Sequence, residues 1–255
     1  MASGSVILSV DGPLARLILD NPPLNILTLA MRQSLFDRLE EIEANPTIRV
    51  VIVESAGTRA FSVGSDINEF PEDELGGVAK IRFEQYLLDR LEALKAITIA
   101  KVEGLALGGG GELMLACDFR IASTEARIGF PEIRLGALPA AGGMKRLLRE
   151  IGPLRARELV LLGRPIDAVR AAELGLINKA VPPAEVDDAV SDLAKDVAEL
   201  PAQALSLAKR TLASTDASQI DTAEAQAFGM LYRSKDLAEG LAAFLAKRPP
   251  QFNLE

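Results

Sequence analysis

The 255-residue chain has no histidine, no tryptophan and only one cysteine, Cys117. Without histidine, the Ser-His-Asp triad, the Cys-His pair and the usual histidine-containing zinc and iron sites are excluded. A single cysteine excludes an internal disulfide and a cysteine-rich metal site, so we expect no metal and expect Cys117 to pack in a helix. Acid and base chemistry must therefore come from carboxylates, lysine, tyrosine or the backbone.

Positive charge is also in short supply, since 36 Asp and Glu residues outnumber 28 Lys and Arg residues and give a formal net charge of −8. Nucleic acids and anionic membranes need clustered Lys and Arg, so neither is expected as a partner. No apolar segment reaches the ~20 residues that span a bilayer. The first five residues, Met-Ala-Ser-Gly-Ser, have the character of neither a secretion signal nor a transit peptide. These features predict a cytoplasmic protein whose partners are small molecules or other protein chains.

The chain does contain an alternation of β-branched runs and helical stripes, which is typical of α/β folds. The predicted strands cover residues 6–10, 14–19, 48–53, 97–103 and 119–122, and the predicted helices cover 28–44, 78–94 and 111–117. After Pro139 the pattern is mainly helical, with one extended piece at 177–181. We expect Thr28 to cap the first helix and Arg32 to lie outside its apolar stripe.

Four glycines followed by a glutamate occupy residues 108–112, between an apolar strand and an apolar helical run. Residues without side chains at such a junction let a ligand touch the backbone, and the free N–H groups of the first helical turn point at whatever binds there. The junction is therefore predicted to hold a developing negative charge beside the carboxylate of Glu112. The alternative is a flexible loop with a solvated glutamate, but four glycines in a simple helix would cost about 1 kcal/mol each.

Two further segments, 60–67 and 129–136, are expected to meet the glycine segment 104–112. In open α/β sheets, sites form beyond the carboxyl ends of the strands, and all three segments follow predicted strands. Further motifs are Asn25, Cys117-Asp118 and the segments 138–143, 166–168, 175–177 and 243–248. In this order, over about residues 6–252, the chain resembles the crotonase family of enoyl-coenzyme A (enoyl-CoA) hydratases and isomerases.

The resemblance implies an α/β fold of the ClpP/crotonase type, a spiral of ββα units followed by a helical C-terminal region that trimerises. It implies a core over residues 1–195 that contains the CoA and catalytic sites, and a helical oligomerisation region over residues 196–255. The expected assembly is a homotrimer or a homohexamer built as a dimer of trimers.

The same resemblance implies roles for residues of the three segments. The backbone N–H groups of Ser65 and Gly109 would form an oxyanion hole for the thioester oxygen, where removal of one donor typically costs ~10²- to 10³-fold in rate. The two hydratase glutamates fall on Glu112 and Glu132. A water held between two carboxylates can be deprotonated by one while the other handles the proton at C2. Retention of both favours hydration, because isomerisation needs only one base.

Binding of CoA, which is part of the substrate and leaves no separate cofactor to expect, is implied at two places. The first comprises Leu24, Ala60, Ser65, Asp66, Ile67, Asn68 and Gly109. The second comprises Phe244 and Lys247, which in relatives reach the ligand of a neighbouring subunit. Asn68 stands where relatives often have lysine, and Ala140 replaces a frequent glycine. These departures weaken the assignment of the phosphate contacts but not that of the reaction class.

The implied function is that of an enoyl-CoA hydratase, which adds water in syn fashion to a trans-2-enoyl-CoA and gives a 3-hydroxyacyl-CoA in fatty acid or related acyl-CoA catabolism. An enoyl-CoA isomerase, or a dienoyl or alicyclic acyl-CoA hydratase of the family, is the alternative. An RNA-binding member would need lysines that the helix at 29–44 does not have. A noncatalytic assembly protein would have no need of both Glu112 and Glu132.

Overall fold

The computed structural model describes residues 4–213 and 217–253, so the first five residues, on which part of the predicted location depends, lie partly outside the described residues. The described strands are β1 Ser5–Asp11, β2 Leu14–Asp20, β3 Val50–Ser55, β4 Ala60–Ser62, β5 Ile97–Val102, β6 Leu105–Leu107, β7 Phe119–Ser123, β8 Arg127–Gly129, β9 Ile166–Asp167 and β10 Lys179–Val181. The described α-helices are α1 Leu29–Ala44, α2 Glu74–Glu92, α3 Gly109–Leu115, α4 Gly143–Leu162, α5 Ala168–Glu173, α6 Val186–Ala198, α7 Ala202–Leu212, α8 Ala217–Leu231 and α9 Lys235–Ala246.

The larger sheet has six strands in the order β1-β2-β3-β5-β7-β10. Strands β1 and β2 form the predicted antiparallel hairpin, and the strands from β2 onward run parallel. On β3, Val51 and Val53 pack into one apolar cluster, while Val50 and Ile52 pack into another on the opposite face. A continuous β-branched run is therefore what this doubly covered parallel strand requires.

A second sheet of four short strands, in the order β4-β6-β8-β9, was not predicted from the sequence. Strands β4, β6 and β8 have three residues each and run parallel to one another. They lie inside or at the edge of segments that the sequence analysis treated as loops. Three residues are too few to show an alternating apolar pattern, so the strand signal did not rise above that of a loop.

The two sheets share a repeat in which one strand joins the large sheet, the next joins the small sheet and a helix follows. The units β3-β4-α2, β5-β6-α3 and β7-β8-α4 all follow this order, although a 3₁₀ helix at 131–135 precedes α4. This is the spiral of ββα units that the resemblance implied. It brings the carboxyl ends of β4, β6 and β8 side by side.

The three helices predicted before Pro139 lie near their predicted positions, and side-chain caps mark the starts of α1 and α2. Helix α1 begins after Thr28, whose side chain accepts a hydrogen bond from the N–H of Met31 at 3.2 Å. Helix α2 begins four residues before its predicted start, because the side chain of Asp73 caps the N–H of Gly76. Helix α3 begins at Gly109 rather than at 111, and Cys117 is buried just beyond its end.

The C-terminal helices α7, α8 and α9 follow α6, which packs on the large sheet through Val186, Val190 and other small apolar residues. The predicted boundary between residues 195 and 196 falls within α6, and the division into two domains stays a prediction. Large apolar side chains are exposed on α8 and α9, among them Phe228, Leu241 and Leu245. Across the described ranges, every helix is too short or too polar to cross a membrane.

Candidate active site

The predicted meeting of the three segments is confirmed, at the carboxyl edge of the small sheet. Strand β4 leads into residues 63–66. Strand β6 leads into Gly108 and helix α3, and β8 leads into the 3₁₀ helix that contains Glu132. Because the three strands are parallel neighbours, their carboxyl ends lie at one edge. The rule for sites in parallel sheets therefore holds for the short strands that the sequence did not reveal.

Glycine is required at positions 108, 110 and 111 for different structural reasons. Gly108 has φ +53° and ψ −127°, a conformation outside the range of ordinary L-residues. A Cβ atom on Gly110 would lie 2.1 Å from the carbonyl oxygen of Ser62, and one on Gly111 would lie 3.0 Å from the ring of Phe130. The prediction that all the glycines serve ligand approach is thus too broad, since Gly110 and Gly111 allow α3 to pack against β4 and Phe130.

Two backbone N–H groups remain available at the start of α3 and at the end of β4. A Cβ atom added to Gly109 would lie 3.6 Å from the nitrogen of Ser65, so the two groups are neighbours. Within residues 4–213 and 217–253, neither N–H is used in a backbone hydrogen bond outside regular helices and strands. Paired free donors at a helix start can hold an oxygen that develops negative charge.

Glu112 lies on α3, one turn after Gly109, and only 4% of its surface is exposed. Its Oε1 accepts a hydrogen bond from the N–H of Gly143, the first residue of α4, at 2.8 Å. Burial, followed by the charges of Glu132 and Glu84, raises the pKa of Glu112 to about 8 against the hydrogen bonds from Gly143 and Ala141. A carboxyl with such a pKa can hold or release a proton near neutral pH.

Glu132 follows Pro131 at the start of the 3₁₀ helix after β8. Its Oε1 faces Gly108, where a Cβ atom would come within 3.2 Å of it. Its Oε2 is buried and has no hydrogen-bond partner among the described residues. Burial also raises the pKa of Glu132, opposed by a hydrogen bond from its own backbone N–H. An unpaired buried carboxylate oxygen is costly unless a water or ligand meets it, so Glu132 is directed at an occupant of the site.

A small cavity lies beside Gly109, between α1, α2 and α3. Its wall is mainly apolar and is formed by Val6, Leu19, Leu27, Met31, Leu35, Leu87, Leu88, Leu113 and Ala141, together with Arg32, Glu84 and Gly109. Because Gly109 forms part of this wall, the cavity borders the predicted oxyanion site. The residues of α2 that line it are Glu84, Leu87 and Leu88, which lie on one face of that helix.

The sequence analysis missed the two charged residues of this wall. Arg32 was placed outside the buried stripe of α1, yet only 6% of it is exposed, and Glu84 of α2 is equally buried. The two side chains form an ion pair at 2.9 Å. The signal was present in the spacing, because residues 32, 35, 39 and 42 lie on one helical face, as do 84, 87, 88 and 91.

The expected CoA-binding positions near β4 are partly engaged with one another. The carbonyl of Leu24 accepts from the N–H of Val63, and that of Ala60 accepts from the side chain of fully buried Asn25 at 2.8 Å. Each carbonyl oxygen has a second lone pair for a ligand. Asp66 caps the 3₁₀ helix 67–69 through the N–H of Asn68. Asn25 thus ties the Pro-Pro-Leu-Asn motif to β4.

Ile67 and Asn68 are exposed on this short helix, next to Ser65. Phe244 and Lys247 lie at the end of α9, where both side chains are exposed. Helix α9 shares a groove with α7 and α8. A single chain therefore brings Ser65, Gly109 and the two glutamates together but does not bring Phe244 and Lys247 to them. Among the described residues, no group of three or more His, Cys, Asp or Glu side chains is arranged to hold a metal ion.

Comparisons with known proteins agree with this geometry. Residues 11–255 match the family model described as enoyl-CoA hydratase/isomerase. The chain is 37% identical to a Bacillus subtilis protein named "Probable enoyl-CoA hydratase", covering 98% of this chain and 99% of that protein. It is 34% identical to the short-chain-enoyl-CoA hydratase of Clostridium acetobutylicum, covering 97% of both. A crystal structure of an enoyl-CoA hydratase from Bacillus anthracis is similar with a TM-score of 0.92 and 34% identity, covering 98% of this chain and 100% of that one.

Proposed function

Because the chain belongs to the enoyl-CoA hydratase/isomerase family, we propose that it is an enoyl-CoA hydratase, a hydro-lyase that adds water to the double bond of a trans-2-enoyl-CoA. The observation that carries the proposal is the pair Glu112 and Glu132. Both carboxyls have a raised pKa. Glu112 lies one turn after Gly109, and Oε1 of Glu132 faces Gly108, the residue before the unpaired N–H of Gly109. Two proton-exchanging groups next to an oxyanion site are what hydration of a conjugated thioester requires.

The N–H groups of Ser65 and Gly109 hold the thioester oxygen in this mechanism. As hydroxide adds to C3, electron density moves through the double bond to that oxygen, and an enolate develops. Gly109 is the first residue of α3, so the partial positive charge of the helix start reinforces its N–H. The two donors are stronger toward the enolate than toward the substrate carbonyl, and this difference lowers the barrier.

The water is held between the carboxyl groups of Glu112 and Glu132. Its oxygen forms the new bond to C3, and one proton goes to C2, either directly or through a carboxyl, so that no proton is gained or lost overall. The unpartnered Oε2 of Glu132 is available to this water. At neutral pH Glu112, whose pKa is about 8, is expected to hold a proton, and burial raises the pKa of Glu132 as well. The protons therefore move within the pair, and the two groups titrate together.

Coenzyme A is expected to bind along Leu24, Ala60 and the segment from Ser65 to Asn68. Phe244 and Lys247 would complete the site of a neighbouring subunit, since both are exposed within one chain. The exposed apolar residues of α8 and α9 favour contacts with other chains, and the family resemblance implies a homotrimer or a dimer of trimers. A role in fatty acid or related acyl-CoA catabolism and a cytoplasmic location stay predictions. A monomer in sedimentation at micromolar concentration would contradict the neighbouring-subunit role.

The activity is tested by following the loss of conjugated-thioester absorbance with trans-2-enoyl-CoA substrates of graded length. A product one water heavier than the substrate is expected in mass spectrometry. The alternative, an isomerase, would instead convert a 3-enoyl-CoA without a change in mass. Such a result without any hydration would contradict the hydratase function, which the names of the relatives also favour.

The oxyanion hole is tested by Gly109→Pro, which removes one donor. Proline is tolerated at the first position of a helix, so α3 should still form. We expect turnover to fall ~10²-fold or more. Gly109→Ala keeps the N–H but adds a methyl group 3.6 Å from the nitrogen of Ser65, where the ligand approaches, so it should impair binding at least as much as turnover. A folded Gly109→Pro protein with normal turnover would mean that the oxygen is held elsewhere.

A further inference from the structure

Arg32 connects three parts of the candidate site. Its Nη2 donates to Ser65 Oγ at 2.6 Å, its Nη1 donates to the carbonyl oxygen of Leu27, and Nη2 lies 2.9 Å from Oε1 of Glu84. Lys80 also pairs with Glu84, one turn before it on α2. The guanidinium thus joins α1, α2 and the turn that contains Ser65.

Stability alone does not explain the buried Arg32–Glu84 ion pair. The rest of the cavity wall is apolar apart from Gly109, and both charged residues are only 6% exposed. Replacing a buried ion pair with apolar side chains of similar volume is often neutral or stabilising, because desolvation of the charges offsets their attraction. A buried pair kept in the wall beside the oxyanion site therefore indicates a role in the reaction.

The bonds of Arg32 end on the two residues that fix the oxyanion turn. Leu27 and Ser65 pair through an isolated β-bridge, in which the N–H of Leu27 donates to the carbonyl of Gly64 at 2.8 Å. Arg32 binds Leu27 on one side of this bridge and Ser65 on the other. The direction of the Ser65 N–H, which must converge with that of Gly109, therefore depends on the guanidinium.

Building on the proposed hydratase function, we propose that Arg32, held in place by Glu84, is a positioning residue that fixes the Ser65 donor and adds its positive charge to the oxyanion site. Charge in a site from which water is excluded acts more strongly than in water. The effect is expected mainly in the transition state, where the thioester oxygen becomes negative. It should lower kcat more than it changes KM.

The test uses Arg32→Met, Arg32→Lys, Ser65→Ala and the apolar double variant Arg32→Met with Glu84→Leu. The control is Arg170→Met, which removes an exposed arginine of α5 that pairs with Glu173. Two readouts are needed, namely kcat and KM for trans-2-butenoyl-CoA hydration and the absorbance of bound 4-dialkylaminocinnamoyl-CoA. That chromophore shifts to longer wavelength as its carbonyl is polarised, so it reports the oxyanion hole without turnover.

We expect Arg32→Met to lower kcat ~10-fold or more, less than loss of a direct donor, with KM nearly unchanged and a smaller red shift of the bound chromophore. Arg32→Lys should be intermediate, because it keeps the charge without the fork of donors. Combining Arg32→Met with Ser65→Ala should cost less than the sum of the two single effects, because both remove the same contact.

The double variant removes both charges of the Arg32–Glu84 pair and leaves only Lys80, which is partly exposed, without its partner, so it should fold and remain as slow as Arg32→Met. Unchanged kcat and red shift in the folded double variant would overturn the proposal, and so would its failure to fold, because the pair would then be structural. The chromophore shift separates this result from the proposed function. A wild-type protein that binds and polarises the probe but does not hydrate butenoyl-CoA would refute the hydratase function and leave the positioning role standing.

Discussion

Two glutamate side chains that contact the first turns of α4, Glu112 and Glu92, have pKa values shifted in opposite directions. Glu112 accepts a hydrogen bond from Gly143 and has no cation of its own, and burial raises its pKa to about 8. Glu92, at the end of α2, bonds to fully buried Arg146 at 2.7 Å and to Arg149 at 2.7 Å. Burial would raise the pKa of Glu92 too, but the charges and hydrogen bonds of the two arginines lower it.

The difference separates a candidate catalytic carboxyl from a structural one in this fold. Both are glutamates, and both lie on helices that pack beside the same loop, 139–143. The two sites differ in the positive charge nearby. Arg146 and Arg149 surround Glu92, and Asp89 and Lys145 join them in a set of ion pairs between α2 and α4 that we call the α2–α4 network. A carboxylate that stays ionised can stabilise the fold through its ion pairs, whereas burial without a counterion favours the neutral form and moves the pKa of Glu112 toward neutral pH.

The largest effect should come from breaking the α2–α4 network with Arg146→Met. Arg146 is fully buried and bonds to Glu92, Asp89 and the carbonyl of Ala141. Removing one partner of a buried ion pair typically costs 3–5 kcal/mol, and we expect about 3 because Glu92 keeps Arg149 and some solvent. Urea unfolding should show the loss, while the folded variant should keep most of its kcat. If the variant had the same free energy of unfolding as the wild type, the network would stabilise the fold no more than exposed ion pairs do.

The next effect concerns the uncompensated carboxyls. Glu112→Gln and Glu132→Gln should each lower kcat by ~10² or more, about 3 kcal/mol of transition-state stabilisation, with little change in substrate binding. Glu92→Gln is the matched control and should leave kcat nearly intact while it lowers stability. Steady-state kinetics with the same enoyl-CoA for all three would check this. If Glu132→Gln stayed active, a single-base role for Glu112 would replace the two-glutamate mechanism.

A smaller effect should appear in how stability depends on pH. The pKa of Glu112 is raised in the folded protein, so folding binds a proton, and stability should fall as pH rises between about 4.5 and 8. Over 1.5 pH units within that window the change is about 2 kcal/mol. Glu112→Gln should flatten this slope. For Glu92 the sign is opposite, because its lowered pKa gives stability that is lost only in acid. The free energy of unfolding should be measured at pH 6 and at pH 7.5. An equal change between these two pH values in the wild type and in Glu112→Gln would contradict this prediction.

The sequence predicted those parts of the fold that have long periodic patterns. The hairpin β1-β2, the capped helix α1 and the buried strand β3 all lie within about two residues of their expected places. The small sheet could not be predicted, because its strands are held by neighbours that are distant in sequence, not by a pattern of their own. A three-residue strand contains too little information to be separated from a loop.

The candidate site was predictable to a similar extent. Motif order located Gly109, Glu112 and Glu132 through the family resemblance, and the structure brings them to one edge. The burial of Arg32 was missed because a charged residue was assumed to face solvent, although its spacing from Leu35 and Leu39 places it on the inner face. The proposed roles of Phe244 and Lys247 would depend on contacts between chains, which the pattern of one sequence does not determine.

The central claim is that Glu112, unlike Glu92, keeps a proton at neutral pH. Difference infrared spectroscopy of the wild type minus Glu112→Gln tests this directly, because a neutral carboxylic acid and a carboxylate have separate C=O stretching bands. At pH 7 we expect a carboxylic acid band that is lost in Glu112→Gln, is unaffected in Glu92→Gln, and converts to carboxylate as pH rises through about 8. A carboxylate band for Glu112 already at pH 6 would contradict the account.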